Sequence, residues 1–256
     1  MLLDTIQALY ERVLRSQVTY VPRHIAIIQD GNRRFAKNRG MSRAEGHQAG
    51  ADTTENLLEW AWDLGVRHIT LYCFSTENFS RDRKEIQELV ELFKDRLQRV
   101  VEDRRVHQNQ IRLQVLGDRD LLPEDLRARV EDAEKATAGY DRHVINLALA
   151  YGGRNEIVRA ARELVRQVRA GTITPDQIDP AMVEKHLHDG RKIPPVDLII
   201  RTGNERRTSN FLPWLANGNE CAVYFCAPYW PAFRKIDLLR AIRVYDQRVS
   251  LKQQSA

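Results

Sequence analysis

The stretch HIAIIQDGN, residues 24–32, indicates both the fold class and the position of the candidate site. Its apolar run is nearly continuous and ends in polar, turn-forming residues, which is typical of a buried parallel strand running into a loop. Asp30 stands at the end of this strand and is the central candidate residue. Because Asp-Gly-Asn also forms plain turns, the triplet carries little functional information alone.

Short apolar runs recur along the rest of the chain, and helical patterns alternate with them. The further predicted strands are 69–74, 111–116, 144–149, 196–200 and 222–226. The predicted helices are about 45–64, 83–107, 123–138, 154–170 and 234–248. This alternation predicts an α/β fold with a mainly parallel, six-stranded sheet flanked by helices. No repeat or linker divides the 256 residues, so we expect one domain over residues 1–256.

The first 20 residues form an amphipathic segment with apolar side chains at helical spacing. These are Leu2, Ile6, Leu9, Val13 and Leu14. Such a helix either covers the core or lies on a lipid surface, and the pattern leaves both open. The N-terminus lacks a signal-peptide core, and no apolar run approaches the ~20 residues of a membrane span. We therefore expect a cytoplasmic protein, with peripheral membrane contact as an alternative.

The formal charge of +5 favours anionic partners such as diphosphates, nucleic acids or acidic lipids. Acidic residues accompany most of the basic ones, as in Arg83-Lys84-Glu85, which predicts a solvated surface for most of the charge. No interleaved aromatic and basic motif is present, so we expect no nucleic-acid partner. The three cysteines, Cys73, Cys221 and Cys226, lack CxxC spacing and are expected to be reduced rather than paired or bound to zinc.

Three polar loops follow predicted strands, and ligands of parallel sheets bind beyond the carboxyl ends of the strands. The loops begin at Asp30, Ser75 and Arg201. Arginine suits such a site because its planar fork binds phosphate oxygens with two hydrogen bonds. The Asp30 carboxylate can reach a hard cation such as Mg²⁺ in this crevice, and Glu220 is a candidate second oxygen ligand. The candidates for anion binding are Arg34, Arg43, His47, Arg201, Arg207 and Ser209. Ser75-Thr76-Glu77 is also an ordinary helix start, and a basic loop is often only solvated.

The predicted helix over 83–107 carries a long apolar stripe. Its members are Ile86, Leu89, Val90, Phe93, Leu97, Val100 and Val101. The stripe fits ordinary core packing or the wall of a hydrophobic tunnel that opens beside the polar loops. Other motifs are absent: there is no GxxxxGK[ST], no GxGxxG after a strand and no DDxxD. These absences weigh against nucleotidases, dehydrogenases and trans-prenyltransferases.

Taken together, the loops resemble the cis-prenyltransferase family of the undecaprenyl diphosphate synthase type, in particular its archaeal members. The matching segments follow the order of the family over nearly the whole chain. They are 24–36, Gly46-His47, 70–79 with Arg81, 146–154, 197–203, and 209–211 with Trp230-Pro231. The resemblance implies an enzyme that elongates an allylic diphosphate with isopentenyl diphosphate in cis units and releases pyrophosphate.

The resemblance also implies a substrate, a metal and an assembly. The primer is expected to be farnesyl or geranylgeranyl diphosphate, and the product a long-chain polyprenyl diphosphate that precedes a glycosyl carrier lipid. Mg²⁺ is expected between Asp30 and Glu220, with Asp30 and Asn78 as the catalytic residues. The residues expected at substrate-contacting positions are Gly31, Asn32, Arg33, Arg34, Phe35, Arg43, His47, Ser75, Thr76, Glu77, Phe79, Arg81, Arg201, Arg207, Thr208 and Ser209. Homodimers are typical of the family.

A few residues depart from the family pattern. Arg33 stands where many bacterial members have Gly, Phe35 and Phe79 replace tryptophans, and Arg206 replaces a histidine. The alternatives left open are a non-catalytic partner subunit of the same fold, and short-chain or irregular coupling of two allylic diphosphates.

Overall fold

Six parallel strands form the central sheet in the computed structural model, which describes residues 2–216 and 221–254. The strands are β1 (His24–Ile28), β2 (His68–Tyr72), β3 (Ile111–Leu116), β4 (His143–Ala148), β5 (Leu198–Arg201) and β6 (Ala222–Phe225). Their order across the sheet is β3-β4-β2-β1-β5-β6, and all five pairings are parallel. The predicted α/β class and six-stranded sheet are confirmed.

Helices cover both faces of the sheet within the described residues. They are α1 (Leu2–Ser16), α2 (Asn32–Asn38), α3 (Arg43–Asp63), α4 (Arg83–Glu102), α5 (Arg104–Gln108), α6 (Glu124–Thr137), α7 (Gly153–Arg169), α8 (Pro180–His186) and α9 (Lys235–Gln254). All five residues of β1 are buried. Ile25 and Ile27 pack into one apolar cluster while Ala26 and Ile28 pack into another, because successive side chains of a strand point to opposite faces. The continuous apolar run of β1 reflects this two-sided burial.

Three details of the helices differ from the sequence-based prediction. The helix predicted over 83–107 is two helices, because the backbone turns at Asp103 and its carboxylate accepts a hydrogen bond from Arg105 N at 2.8 Å, which starts α5. The short helices α2 and α8 were not assigned from the sequence pattern. The first helix ends at Ser16 and not at residue 20.

Helix α1 packs against α9 through one side only. Leu14 is buried with Ile236 and Leu239, whereas Ile6, Leu9 and Val13 are exposed. The first helix therefore covers part of the core and also leaves an apolar face open. In the described part of the chain, no helix is long and apolar enough to cross a membrane.

The three cysteines are free, as expected from their spacing. Burial raises the pKa of the Cys73 thiol to about 12 and that of Cys226 to about 12. Burial also raises the pKa of Cys221 to about 11. All three thiols therefore stay protonated at neutral pH and act as small apolar groups.

The register of the sheet brings the polar loops to one edge. Ile28 of β1 is paired with Tyr72 of β2 on one side and with Arg201 of β5 on the other. The chain leaves β1 toward β2 on one side and returns later to β5 on the other, so the crevice at the carboxyl end of β1 is the topological switch point of this sheet. Asp30 lies two residues beyond the end of β1, beside Arg201.

Candidate functional site

Asp30 lies between two arginines at this edge. Its Oδ1 accepts a hydrogen bond from Nη2 of Arg34 at 2.9 Å, and its Oδ2 accepts one from Nη2 of Arg201 at 2.9 Å. Arg34 is one helical turn away on α2, and Arg201 ends the neighbouring strand. We call these three residues the Asp30 cluster. The Asp30 side chain is 28% exposed, so it faces the crevice and is open to a ligand.

Arg201 is the buried member of the Asp30 cluster, with 5% of its side chain exposed. Its Nη1 donates to the carbonyl oxygen of Arg207 at 2.7 Å and to Oγ of Ser209 at 2.6 Å. Its Nε is buried and has no hydrogen-bond partner among the described residues. Buried polar groups are normally satisfied, so this orphaned donor indicates a place for an acceptor.

Backbone contacts hold the loop that carries Asp30. Oγ1 of Thr202 accepts from Asp30 N at 2.9 Å and donates to the Asp30 carbonyl oxygen at 2.7 Å. Gly31 has a φ of 114°, and a Cβ there would lie 2.7 Å from Cδ1 of Tyr229. Only glycine fits this conformation and this close approach. Thr202 and Tyr229 are supporting residues that the sequence reasoning did not single out.

Glu205 connects the two basic loops. Its carboxylate lies 3.6 Å from Nη1 of Arg34 and also contacts Arg207. Arg207 itself is exposed and contributes its carbonyl oxygen to Arg201. The predicted residues Arg34, Arg201, Arg207 and Ser209 are therefore brought together. Thr208 is half-buried in the same loop, and Glu220 lies outside the described residues.

Glu85 is a second carboxylate among basic groups, and the prediction that it lies on the solvated surface is wrong. The sequence pattern assigned Arg83-Lys84-Glu85 to the solvated surface, but the Glu85 side chain is 2% exposed. Its Oε2 lies 3.1 Å from Nη1 of Arg43 and 3.9 Å from Nη1 of Arg33, and its Oε1 lies 3.2 Å from Nη1 of Arg81 and 3.4 Å from Nε2 of His47. We call Glu85 and these four partners the Glu85 cluster.

His47 links the Glu85 cluster to the start of α2. Its Nδ1 lies 3.4 Å from Nδ2 of Asn32. Oδ1 of Asn32 is buried and has no partner in the part of the chain that the structure describes. Burial lowers the pKa of His47 below its usual value, and the charges of Arg81 and Arg33 lower it further, while Glu85 opposes both effects.

The loop after β2 forms a short 3₁₀ turn over Thr76–Ser80. Oδ1 of Asn78 accepts from Ser75 N at 3.1 Å, so the Asn78 amide is held against the start of the turn. Oε1 of Glu77 accepts from Nδ2 of Asn210 at 2.9 Å, which ties this loop to the loop after β5. Oγ1 of Thr76 donates to Glu77 at 3.3 Å. These contacts give the loop a defined place beside the Asp30 cluster.

Two aromatic residues border the basic groups. Phe79 is partly exposed and its ring lies edge-on to Phe74 at 4.9 Å, and Phe74 in turn meets Phe93 of α4 at 6.3 Å. On α2, the Phe35 ring lies 4.8 Å beneath the guanidinium of Arg39. The aromatic contacts run from the polar loop toward the apolar face of α4.

A cavity of about 830 Å³ lies between α3, α4 and the sheet, and we call it the α4 cavity. Asn32 and His47 line it near the polar loops, apolar side chains form much of the remaining lining, and charged residues such as Glu59 and Arg105 also border it. The apolar lining includes Leu71, Leu89, Phe93, Leu97, Val100, Ile145 and Leu147. The other stripe residues of α4, Ile86, Val90 and Val101, pack into the cluster that α6 completes. Leu89, Phe93, Leu97 and Val100 belong to the same cluster, so the whole stripe packs the core and four of its residues also line the cavity.

This arrangement combines two chemistries at one edge of the sheet. Two groups of arginines, each with its own carboxylate, suit a polyanion such as a diphosphate. The adjoining cavity is large enough for a ligand, and apolar side chains form much of its lining. The geometry therefore fits a molecule with an anionic head and a hydrocarbon tail.

The comparisons with known proteins agree with this geometry. A family model described as "Putative undecaprenyl diphosphate synthase" matches residues 28–251. The tritrans,polycis-undecaprenyl-diphosphate synthase (geranylgeranyl-diphosphate specific) of Halobacterium salinarum is 49% identical, over 98% of this chain and 83% of the relative. A protein of the same name from Archaeoglobus fulgidus is 51% identical, over 90% of this chain and 91% of the relative.

A solved structure supports the same relationship. Lavandulyl diphosphate synthase from Lavandula x intermedia, in complex with dimethylallyl diphosphate, matches with a TM-score of 0.82 and 37% identity. The match covers 88% of this chain and 95% of that protein. The sequence matches and the structural match thus point to the same family over most of the chain. The chain belongs to the cis-prenyltransferase family, a family of prenyl-transferring enzymes.

Proposed function

We propose that this protein is a Mg²⁺-dependent cis-polyprenyl diphosphate synthase that condenses isopentenyl diphosphate repeatedly with an allylic diphosphate primer. One observation carries the proposal: a cavity of about 830 Å³ with many apolar side chains in its lining is bordered by His47 of the Glu85 cluster and by Asn32, two residues after Asp30. A prenyl diphosphate has this division between head and tail. In this proposal residues 1–256 act as one catalytic domain.

The donors at Asp30 suit Mg²⁺. This ion prefers oxygen ligands and is commonly held by one or two carboxylates together with substrate phosphates. Within residues 2–216 and 221–254, no three His, Cys, Asp or Glu side chains form a metal-binding group, so a cage made of protein side chains is not expected there. Asp30 would hold the ion with diphosphate oxygens, and Glu220 is the proposed second ligand. When bound, the ion would neutralise charge on the leaving diphosphate.

The basic residues divide between the two substrates in this proposal. Gly31, Asn32 and the arginines of α2, α3 and the loop after β2 would bind the primer diphosphate, with Phe35, His47 and Phe79 beside it. Arg201, Arg207 and Ser209 would bind isopentenyl diphosphate, with Thr208 nearby. The Nε of Arg201 supports the second assignment, because it is a donor without a partner among the described residues and a diphosphate oxygen is an acceptor.

The reaction follows from these positions. The allylic C–O bond breaks as arginine N–H groups stabilise the charge of the departing pyrophosphate. A new C–C bond joins the allylic carbon to the isopentenyl double bond, and the isopentenyl unit then loses a proton. Asn78 is the proposed acceptor, and its hydrogen bond with Ser75 N would keep its amide oriented. The apolar lining of the cavity would exclude water from the allylic cation and receive the growing chain.

Geranylgeranyl diphosphate is the primer that we propose, with farnesyl diphosphate as the shorter alternative. The support is the name of the two archaeal relatives, which are described as geranylgeranyl-diphosphate specific. A long-chain polyprenyl diphosphate, and from it a glycosyl carrier lipid, would follow. The alternative of short-chain or irregular coupling takes its support from the relative named lavandulyl diphosphate synthase, whose structure holds dimethylallyl diphosphate.

The experiment is an incubation of the purified protein with Mg²⁺, labelled isopentenyl diphosphate and primers of increasing length. We expect long polyprenyl products with geranylgeranyl diphosphate and none when the metal is chelated. Product from dimethylallyl diphosphate without isopentenyl diphosphate would favour irregular coupling. Turnover that appears only after addition of a second polypeptide would favour the partner-subunit alternative. No product from any primer would contradict the proposal.

Two features of the surroundings remain part of the proposal. The exposed apolar face of α1, with Ile6, Leu9 and Val13, would contact the cytoplasmic membrane surface into which a long product must pass. Cosedimentation with anionic vesicles, lost when these residues are changed to Ser, tests this contact. A homodimer is expected from the family, and light scattering would measure it.

A further inference from the structure

We propose that Glu85 is a positioning residue for the primer site: it anchors the basic side chains that bind the allylic diphosphate and connects them to the wall of the α4 cavity. This role rests on the function proposed above and deepens it. No motif match or sequence-based expectation assigned a role to Glu85.

The first argument is the number and kind of its partners. Three guanidinium groups and one imidazole lie within 4 Å of the two Glu85 oxygens. They come from three separate segments, namely α2, the start of α3 and the loop after β2. The side chains of Arg33 and Arg43 are 52% and 59% exposed, and the Nη1 end of each meets the buried carboxylate. Without this shared anchor, long arginine side chains would sample many rotamers.

The second argument is that anchoring leaves the arginines able to bind substrate. A guanidinium has five N–H donors, and the contacts of Arg33, Arg43 and Arg81 with Glu85 each use one nitrogen, Nη1. The remaining donors stay available for phosphate oxygens. A carboxylate that is 2% exposed cannot be reached by a metal ion from the crevice, so Glu85 differs in role from Asp30.

The third argument concerns the helix on which Glu85 stands. The carboxylate of Asp82 caps α4 by accepting from Lys84 N at 3.0 Å and from Glu85 N at 3.3 Å, which fixes the backbone of Glu85. Leu89 and Phe93 follow at intervals of four residues on the same helix and line the α4 cavity. One rigid element thus carries both the anchor of the primer head and part of the wall for its tail.

The test compares Glu85→Gln with wild type in steady-state kinetics. Loss of the anchoring charge should raise the KM for the allylic primer roughly tenfold or more, since several side chains must be ordered again on binding. The KM for isopentenyl diphosphate should change by less than about twofold, because Glu85 contacts none of Arg201, Arg207 and Ser209. Glu85→Asp keeps the charge and should recover part of the primer affinity. Equal effects on both substrates, or none on the primer, would overturn the proposal.

Glu134 on α6 offers a matched control. Its carboxylate also lies among arginines, 2.8 Å from Nη2 of Arg119 and 3.3 Å from Nη2 of Arg191, but it lies outside both clusters. Glu134→Gln should lower the melting temperature and leave both KM values near wild type. A primer KM raised equally in both variants would reduce the Glu85 effect to general destabilisation and contradict a positioning role.

Calorimetric titration with inorganic pyrophosphate separates this inference from the proposed function, because it needs no turnover. Glu85→Gln should bind pyrophosphate about tenfold more weakly than wild type. Tighter binding would mean that Glu85 only competes with the ligand as an anion, and it would overturn the inference. A wild-type protein that binds pyrophosphate but makes no product would contradict the proposed function while the Glu85 comparison still holds or fails independently.

Discussion

Two carboxylates lie among arginines near Asn32 and His47, the residues that border the α4 cavity at the polar loops, and they differ in their access to solvent. The Asp30 side chain is 28% exposed, whereas that of Glu85 is 2% exposed. An exposed carboxylate can exchange an arginine for a metal ion. A sealed carboxylate keeps its partners, because an unpaired charge in the interior costs several kcal/mol. The two carboxylates have similar partners, but their difference in exposure predicts a catalytic role for Asp30 and a positioning role for Glu85.

The largest effect is expected at Asp30. Asp30→Asn keeps the size of the side chain but removes the charge that the metal ion needs, and several kcal/mol of leaving-group stabilisation should be lost with it. We expect turnover to fall by about three orders of magnitude or more, with the circular dichroism spectrum unchanged. Asp179→Asn, which alters the cap of α8 away from the cavity, is the control and should stay active. Near-normal turnover of Asp30→Asn would refute the assignment.

The second largest effect is expected from the substitution of Arg201. Its hydrogen bonds to a charged substrate should be worth about 1.5–3 kcal/mol, so Arg201→Ala should raise the KM for isopentenyl diphosphate roughly 10- to 100-fold. The primer KM should change far less. Initial-rate measurements with each substrate varied in turn give both values, and Arg119→Ala, remote from the site, is the control. A rise confined to the primer would reverse the division of the two arginine groups.

The lining of the α4 cavity should change the product and not the rate of the first condensation. Phe93→Ala enlarges the cavity and should shift the products toward longer chains, whereas Leu89→Phe should shorten them. Chromatography of the labelled products measures the distribution. Val90 on the same helix packs in the core and is not part of the cavity lining, so Val90→Ala is the control and should lower stability without altering chain length. Unchanged products in the cavity variants would assign the whole stripe to core packing.

Most of the sheet could be predicted from the sequence because strands that are buried on both faces consist of short, nearly continuous apolar runs. All six predicted strands exist, displaced by at most two residues at their ends. The break between α4 and α5 was missed because residues 102–105 contain no Gly or Pro, and only the cap at Asp103 marks the turn. Helices α2 and α8 are seven residues each, shorter than the window of about 11 residues over which helical periodicity is recognised.

The Asp30 cluster could be located from the sequence because its residues directly follow strands. Glu85 could not be assigned by composition, since neighbouring Arg83 and Lys84 suggested ordinary surface charge. A signal was nevertheless present: Glu85 precedes Leu89 and Phe93 by four and eight residues, which places it on the buried stripe of the helix. Its partners come from distant segments, and only the folded chain brings them together. Thr202, Glu205 and Tyr229 were missed for the same reason.

The most direct test of the difference between the two carboxylates is the Mg²⁺ dependence of turnover at saturating primer for wild type, Asp30→Asn and Glu85→Gln. We predict that Asp30→Asn stays inactive at every Mg²⁺ concentration, while Glu85→Gln reaches a kcat near wild type with an unchanged Mg²⁺ midpoint. An active Asp30→Asn enzyme, or a Glu85→Gln enzyme whose Mg²⁺ midpoint rises strongly, would contradict the account.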